Sequence, residues 1–200
     1  LFVPAPVFNK SGGAIFHTQS KQSLKFGVVV PRFRGRALDV AEVESCQAIA
    51  EYAAKMHLAL TECSLERKIE HSLSWCRDLI AQLKPKLTQD DKDLLGLALA
   101  RYLDYEVLIK QCPEGIVHGD LFRDNVLFEG GIISGVIDFY HAGRTAYLFD
   151  LAVIANDWAV NFDRLPSLFS EELIQRPENE DLTEIYNNEK LQTLLDAYDS

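Results

Sequence analysis

The chain has 200 residues, 48% of them hydrophobic, and a formal net charge of −10. That length buries one sizeable core with room for a small satellite lobe. The acidic balance excludes a surface built for nucleic-acid backbone, and no apolar run is long enough to cross a membrane. A nucleotide ligand is still allowed, because a bound divalent cation reverses the local sign. No basic stretch leads into an apolar one at the start, so no secretion signal is read there. The four cysteines, at 46, 63, 76 and 112, form no CxxC pair and have no histidine at zinc-finger spacing, which predicts reduced thiols and a cytoplasmic protein. The chain opens on LFVPAPVF without a methionine, and upstream sequence is expected.

Residues 1–34 read as β-structure and a hinge. AIFHT (14–18) follows the turn signal KSGG, and LKFGVVV (24–30) is apolar and β-branched. PRFRGR is then a linker that could not continue a central strand. Residues 35–200 read as a mainly helical body with a small β element inserted. Val43, Cys46, Ala50, Ala53 and Leu60 fall at helical spacing and predict a first helix over 40–60, with His57 on its apolar line as a core histidine. ERKIEHSLSWCRDLIAQLK predicts a second helix over 66–84, ended by Pro85. Thr88 as N-cap, with Asp91 at the capping-box offset, opens a third. Short strands are predicted at 116–118, 126–128 and 132–138, the last two joined by the hairpin signal EGG. From Thr145 onward AYLFDLAVIANDWAV predicts a buried helix, and the acid-rich residues 171–200 a solvated helix or pair of helices. The fold class so read is α+β.

One stretch concentrates the chemistry. IVHGDLFRDNVLFEGGIISGVIDFYHAG (116–143) sets Asp120, Asp124, Glu129 and Asp138 among β-branched runs, a costly crowd of carboxylates unless a cation sits among them. Asp120 follows a strand and opens an irregular loop, where a general base can reach a hydroxyl. Asn125 lies where the chain returns to the next strand, and Asp138 ends the hairpin. Amide and carboxylate oxygens are hard ligands that suit magnesium rather than zinc. Phosphoryl transfer from ATP needs such a base, such ligands and a cradle for the phosphates. Any one of the three residues alone is explained as well by the local hydrogen bonds of Asp and Asn in turns.

HGDLFRDN followed by VIDF resembles the catalytic and metal motifs of the aminoglycoside phosphotransferase and choline kinase superfamily, whose fold is protein-kinase-like. HGDLFRDNVLF…GVIDFYHAG…FDLAVIANDW is most similar to the homoserine kinases of that fold. FGVVVPRFRGR resembles the last strand of the small lobe and the hinge, and AKMHLA the end of the first large-lobe helix. The resemblance implies ATP and Mg2+ as cofactors, L-homoserine as acceptor on the way to threonine, and direct transfer without a covalent intermediate. It implies Asp120 as catalytic base, Asn125 and Asp138 as metal ligands, and His118 and Asp150 as supports of the catalytic loop. The backbone of residues 30–34 would lie against the adenine.

Homoserine carries an ammonium and a carboxylate, so its pocket needs an acid and a donor-rich patch. Arg123, Tyr140, His141, Arg144, Asp157 and Trp158 are the candidates. Arg123 would serve equally as an ion-pair partner of Asp124, and Trp158 equally as a core aromatic. The superfamily's glycine-rich loop, strand lysine and partner glutamate have no counterpart in these 200 residues, so the chain by itself is expected to be inactive. Two other readings stay open: a kinase for choline or an aminoglycoside, and an inactive fragment or pseudokinase acting as a binding module.

Overall fold

A computed structural model describes residues 1–19, 23–69, 72–161 and 185–200. The order of elements begins with a hairpin. Strand β1 (Ile15–Gln19) pairs antiparallel with β2 (Leu24–Val28), Ile15 opposite Val28 and Gln19 opposite Leu24. The turn entering β1 is built by Asn9, whose side-chain oxygen accepts from Ser11 N and Gly13 N at 2.9 Å each. All ten strand residues are exposed. The chain's first residues run beside the rest of the molecule: Phe2 O accepts from Val136 N (3.0 Å) and from the Tyr52 hydroxyl (3.2 Å). After β2 the linker crosses to the helical body, where Arg36 and Phe128 exchange both backbone hydrogen bonds (3.0 and 2.9 Å).

Helix α1 (Val43–Ala59) is the centre of the core. Cys46, Ile49, Ala50, Ala53 and Met56 recur at the i, i+3, i+4, i+7 spacing of one helix face, and each is at most 1% exposed. Helix α2 (Leu73–Leu83) begins seven residues later than the sequence pattern places it. The Ser72 hydroxyl caps it by accepting from Trp75 N, and the preceding Lys68 forms a β-bridge with Arg144 instead of a helical turn. A 3-10 turn at Lys84–Lys86 accommodates Pro85. Helix α3 (Gln89–Ile109) has the expected capping box: Asp91 N donates to Thr88 Oγ1 and Thr88 N to Asp91 Oδ2. Neither α2 nor α3 buries a residue among those described.

Four short strands follow. β4 (Val126–Glu129) and β5 (Ile132–Val136) form an antiparallel hairpin whose two-residue turn is Gly130 and Gly131, at φ of 61° and 82°. β3 (Glu114–Val117) pairs with β6 (Gly143–Ala146), Val117 opposite Gly143. Sequence reading carried the next helix back to Thr145; in fact β6 holds Thr145 and Ala146, and α4 spans Leu148–Trp158. Helix α5 (Asn188–Asp199), capped by Asn187, packs along α1 through the fully buried Leu194. The end of the acid-rich tail is therefore docked; its earlier part, 171–184, lies outside the described residues. Main-chain bonds Asn161 N to Ile185 O (2.8 Å) and Asn187 N to Ala159 O (2.7 Å) tie the approach to α5 to the end of α4. Side chains of α1, α4, α5, the β4–β5 hairpin and Leu121 share one apolar cluster, each large member contributing roughly 2 kcal/mol on burial. All four cysteines are free thiols, and Cys46 is buried as a small apolar group.

Candidate active site

The site is assembled from the backbone outward. Strand β3 delivers the chain to His118, and the fully buried Asp150 of α4 meets it there. Asp150 Oδ2 accepts from His118 N and Oδ1 from Gly119 N, both at 2.8 Å. His118 Nε2 donates to Ile137 O (2.9 Å) while Nδ1 accepts from Asp120 N (3.2 Å), which fixes the neutral Nε2–H tautomer. Burial pushes the His118 pKa down, outweighing the opposing charge of Asp150. Gly119 sits at φ 82°, and a Cβ there would stand 2.8 Å from His141 O, so only glycine fits. These bonds aim Asp120 at the loop's interior.

A 3-10 turn at Arg123–Asn125 follows. Asn125 Nδ2 donates to both Asp120 O (2.8 Å) and Asp120 Oδ2 (2.7 Å). Both partners are acceptors, so the amide nitrogen must face them and Oδ1 is left for a cation. Ile137 is pinned to the same loop on both sides: its N–H donates to Asn125 O (3.0 Å) and its carbonyl accepts from His118 Nε2. The next residue is Asp138, two positions beyond β5, with φ 66° and ψ 58°. It is the one non-glycine with positive φ among the described residues, a conformation costing about 1–2 kcal/mol. Its carboxylate is exposed. One amide oxygen and one exposed carboxylate fit a hard cation that keeps water and phosphate oxygens for its other positions. Among the described residues no cluster of three His, Cys, Asp or Glu side chains could hold a metal unaided.

The other candidates are placed differently. Arg123 and Asp157 engage each other: Arg123 N and Nε donate to Asp157 Oδ2 at 2.7 and 3.1 Å, and Nη2 to Oδ1 at 3.2 Å. Arg123 Nη1 also donates to Asp39 O, while the carboxylate it engages is that of Asp157 on α4. Trp158 is 1% exposed, its indole donating to Leu121 O at 2.9 Å; it supports the loop from beneath. Tyr140 is 79% exposed, and His141 closes the 3-10 turn after Asp138. Arg144 turns toward Cys63 O (3.1 Å), in the segment before α2.

Two further residues complete the support and were not picked out for it in the sequence. His57 Nε2 bonds Asp150 Oδ2 (2.9 Å), and its Nδ1 meets the Tyr198 hydroxyl (2.7 Å). The only signal was a histidine on a helix's apolar line.

The sequence profile of the phosphotransferase enzyme family matches residues 3–184, which take in the loop, Asp138 and Asp150. The chain belongs to this family. Curated relatives similar to it include a homoserine kinase of Neisseria meningitidis serogroup B, 38% identical over 161 residues, covering 80% of this chain and 51% of the relative. The homoserine kinase of Pseudomonas aeruginosa is 34% identical over 161 residues, covering 80% and 50%. The chain thus spans about half the length of the curated relatives it matches. Among solved structures, the amicoumacin kinase hAmiN in complex with AMP-PNP, Ca2+ and Ami aligns with 100% of this chain and 56% of its own, at TM-score 0.64 and 18% identity. The GDP and kanamycin complex of APH(2")-IIia covers 98% and 66%, at TM-score 0.59 and 18% identity. These neighbours establish the α+β, protein-kinase-like fold of the phosphotransferase family for this chain.

Proposed function

We propose that the chain is the catalytic part of an ATP-dependent small-molecule kinase whose acceptor is the side-chain hydroxyl of L-homoserine. The observation that carries this reading is the joint arrangement of Asp120, Asn125 and Asp138. Asn125 orients the Asp120 carboxylate, and the peptide preceding Asp138 is stitched to that same loop. The similarity to homoserine kinases supports the choice of acceptor.

In this reading Asn125 engages Asp120 Oδ2, leaving Oδ1 to accept the hydroxyl proton. The acceptor oxygen then bonds to the γ-phosphorus as the bond to the β–γ bridging oxygen breaks, and ADP leaves. Asn125 Oδ1 and the Asp138 carboxylate would hold Mg2+. When bound, that ion supplies charge neutralisation to the β- and γ-phosphates. The left-handed backbone at Asp138 is strain kept to aim its carboxylate. Residues 1–34 form part of a small lobe with its hinge and 35–200 the large lobe, with the adenine against residues 30–34. Tyr140 and His141, just past Asp138, face the acceptor, while the Arg123–Asp157 pair holds the loop to α4.

The test is ADP release by the natural gene product with MgATP and L-homoserine, choline or an aminoglycoside. Homoserine-dependent turnover, reduced about 1,000-fold or more by Asp120→Asn, is expected. Turnover with choline or the aminoglycoside alone would discard the acceptor, and silence with all three would leave a binding module.

A further inference from the structure

The carboxylate of Asp150 is the fixed point of the loop, and it is not held from one side only. It lies fully buried and accepts three N–H bonds: two from the loop backbone and one from His57 Nε2. A carboxyl group this deep keeps its orientation only while its donors keep theirs. His57 must therefore present Nε2–H, and its other nitrogen needs a partner of its own, a donor to the neutral ring or an acceptor from the imidazolium. The Tyr198 hydroxyl of α5, which can donate or accept, is that partner, at 2.7 Å. The ring plane is set independently by stacking on Tyr147 (centroids 4.3 Å apart, 18° between planes) and by the edge of Tyr198 (5.7 Å, 71°). Burial pushes the Tyr198 hydroxyl up to about 12, so it carries its proton at neutral pH, as tyrosines ordinarily do.

From this geometry we propose that Tyr198 is a positioning residue for Asp120, acting through His57 and Asp150 on the backbone of His118 and Gly119. The proposal rests on the kinase reading for its catalytic consequence, but not for its structural one. Helix α5 is secured without the hydroxyl: Asn187 caps it, Leu194 is buried against α1, and Lys190 Nζ donates to Ala41 O. Tyr198→Phe therefore removes the hydrogen-bond partner of His57 Nδ1 and leaves the helix seated.

Two readouts on the natural gene product test this. The first is site-resolved amide exchange in wild type and Tyr198→Phe. Exchange at His118 and Gly119 is expected to rise about tenfold while the β4–β5 amides stay within twofold. Equal rates at His118 and Gly119 in the two proteins would overturn the proposal whether or not the protein turns over any substrate, as would an equal rise at β4–β5, which would mark mere loss of stability. The second is turnover with MgATP and L-homoserine. Tyr198→Phe is expected to lower kcat about tenfold with KM for both substrates within twofold, and to have little further effect in a His57→Gln background. A full tenfold loss on top of His57→Gln would show that the hydroxyl does not act through His57. Loss of wild-type turnover with all acceptors would sink the kinase reading alone, and the exchange result would still decide this one.

Discussion

Both ring nitrogens of His118 are committed in the neutral form, one donating to Ile137 O and one accepting from Asp120 N. Protonation would put a second donor against an amide N–H, and burial opposes it further. A histidine depressed in this way binds fewer protons folded than unfolded. Stability is thus complete above the ordinary value of about 6.5 and is lost as pH falls from there through the folded value. NMR titration of the His118 imidazole should show the Nε2–H tautomer at neutral pH and a midpoint below about 6.5; a midpoint at or above that value would contradict the desolvated ring. At this scale the sequence was legible where contacts are local: Asp120, Asn125 and Asp138 stand within one strand–loop–hairpin run, and Asn125 meets Asp120 directly. It was not legible where partners are remote. His57 lies 93 positions from Asp150 and 141 from Tyr198, and no spacing rule links them. Arg123 similarly has two acidic neighbours to choose from, Asp124 in sequence and Asp157 in space, and the carboxylate 34 positions away has the geometry.

Elements repeat the lesson. The capping box of α3 is written into four consecutive residues and forms as its letters imply. Because α3 buries no described residue, that cap is a large share of what orders its first turn. Thr88→Ala should cost about 1 kcal/mol locally, read as faster amide exchange over residues 89–93 with the exchange of α1 unchanged. Slower or equal exchange there would mean that packing, not capping, sets the helix start. The start of α2 misled for the opposite reason. ERKIEHS has helical spacing, yet Lys68 is taken by a bridge to Arg144, and the helix waits for Ser72. Strand β6 was missed for the same cause: GRTA has little strand character, and its structure comes from pairing with β3, about thirty positions earlier.

At the scale of the molecule, apolar area is divided unevenly. The cluster around α1 is sealed, while β2, α2 and α3 leave Phe26, Val28, Trp75, Leu94, Leu97 and Tyr105 between 44% and 70% exposed. Where exposed apolar side chains adjoin, they form patches of a kind that monomers rarely show. The 200-residue chain should bind an apolar dye such as ANS in its folded state. It should also self-associate with rising concentration in sedimentation velocity, despite its charge of −10. Weak dye binding with a concentration-independent monomer would show those faces to be covered. The helices and strand pairs could be read from local pattern, but which faces remain open depends on what packs beside them, and composition carries no record of that.

The bond between His57 and Tyr198 also has a direction in time. A ribosome makes Trp158, the end of α4, forty residues before Tyr198, an interval of roughly 2–8 s at ordinary synthesis rates. Throughout that interval α1, the loop and α4 can already pack, but Asp150 lacks the last partner in its chain. The nascent polypeptide therefore makes the loop and its Asp150 anchor first, and completes both the anchor and the apolar cluster only when α5 arrives.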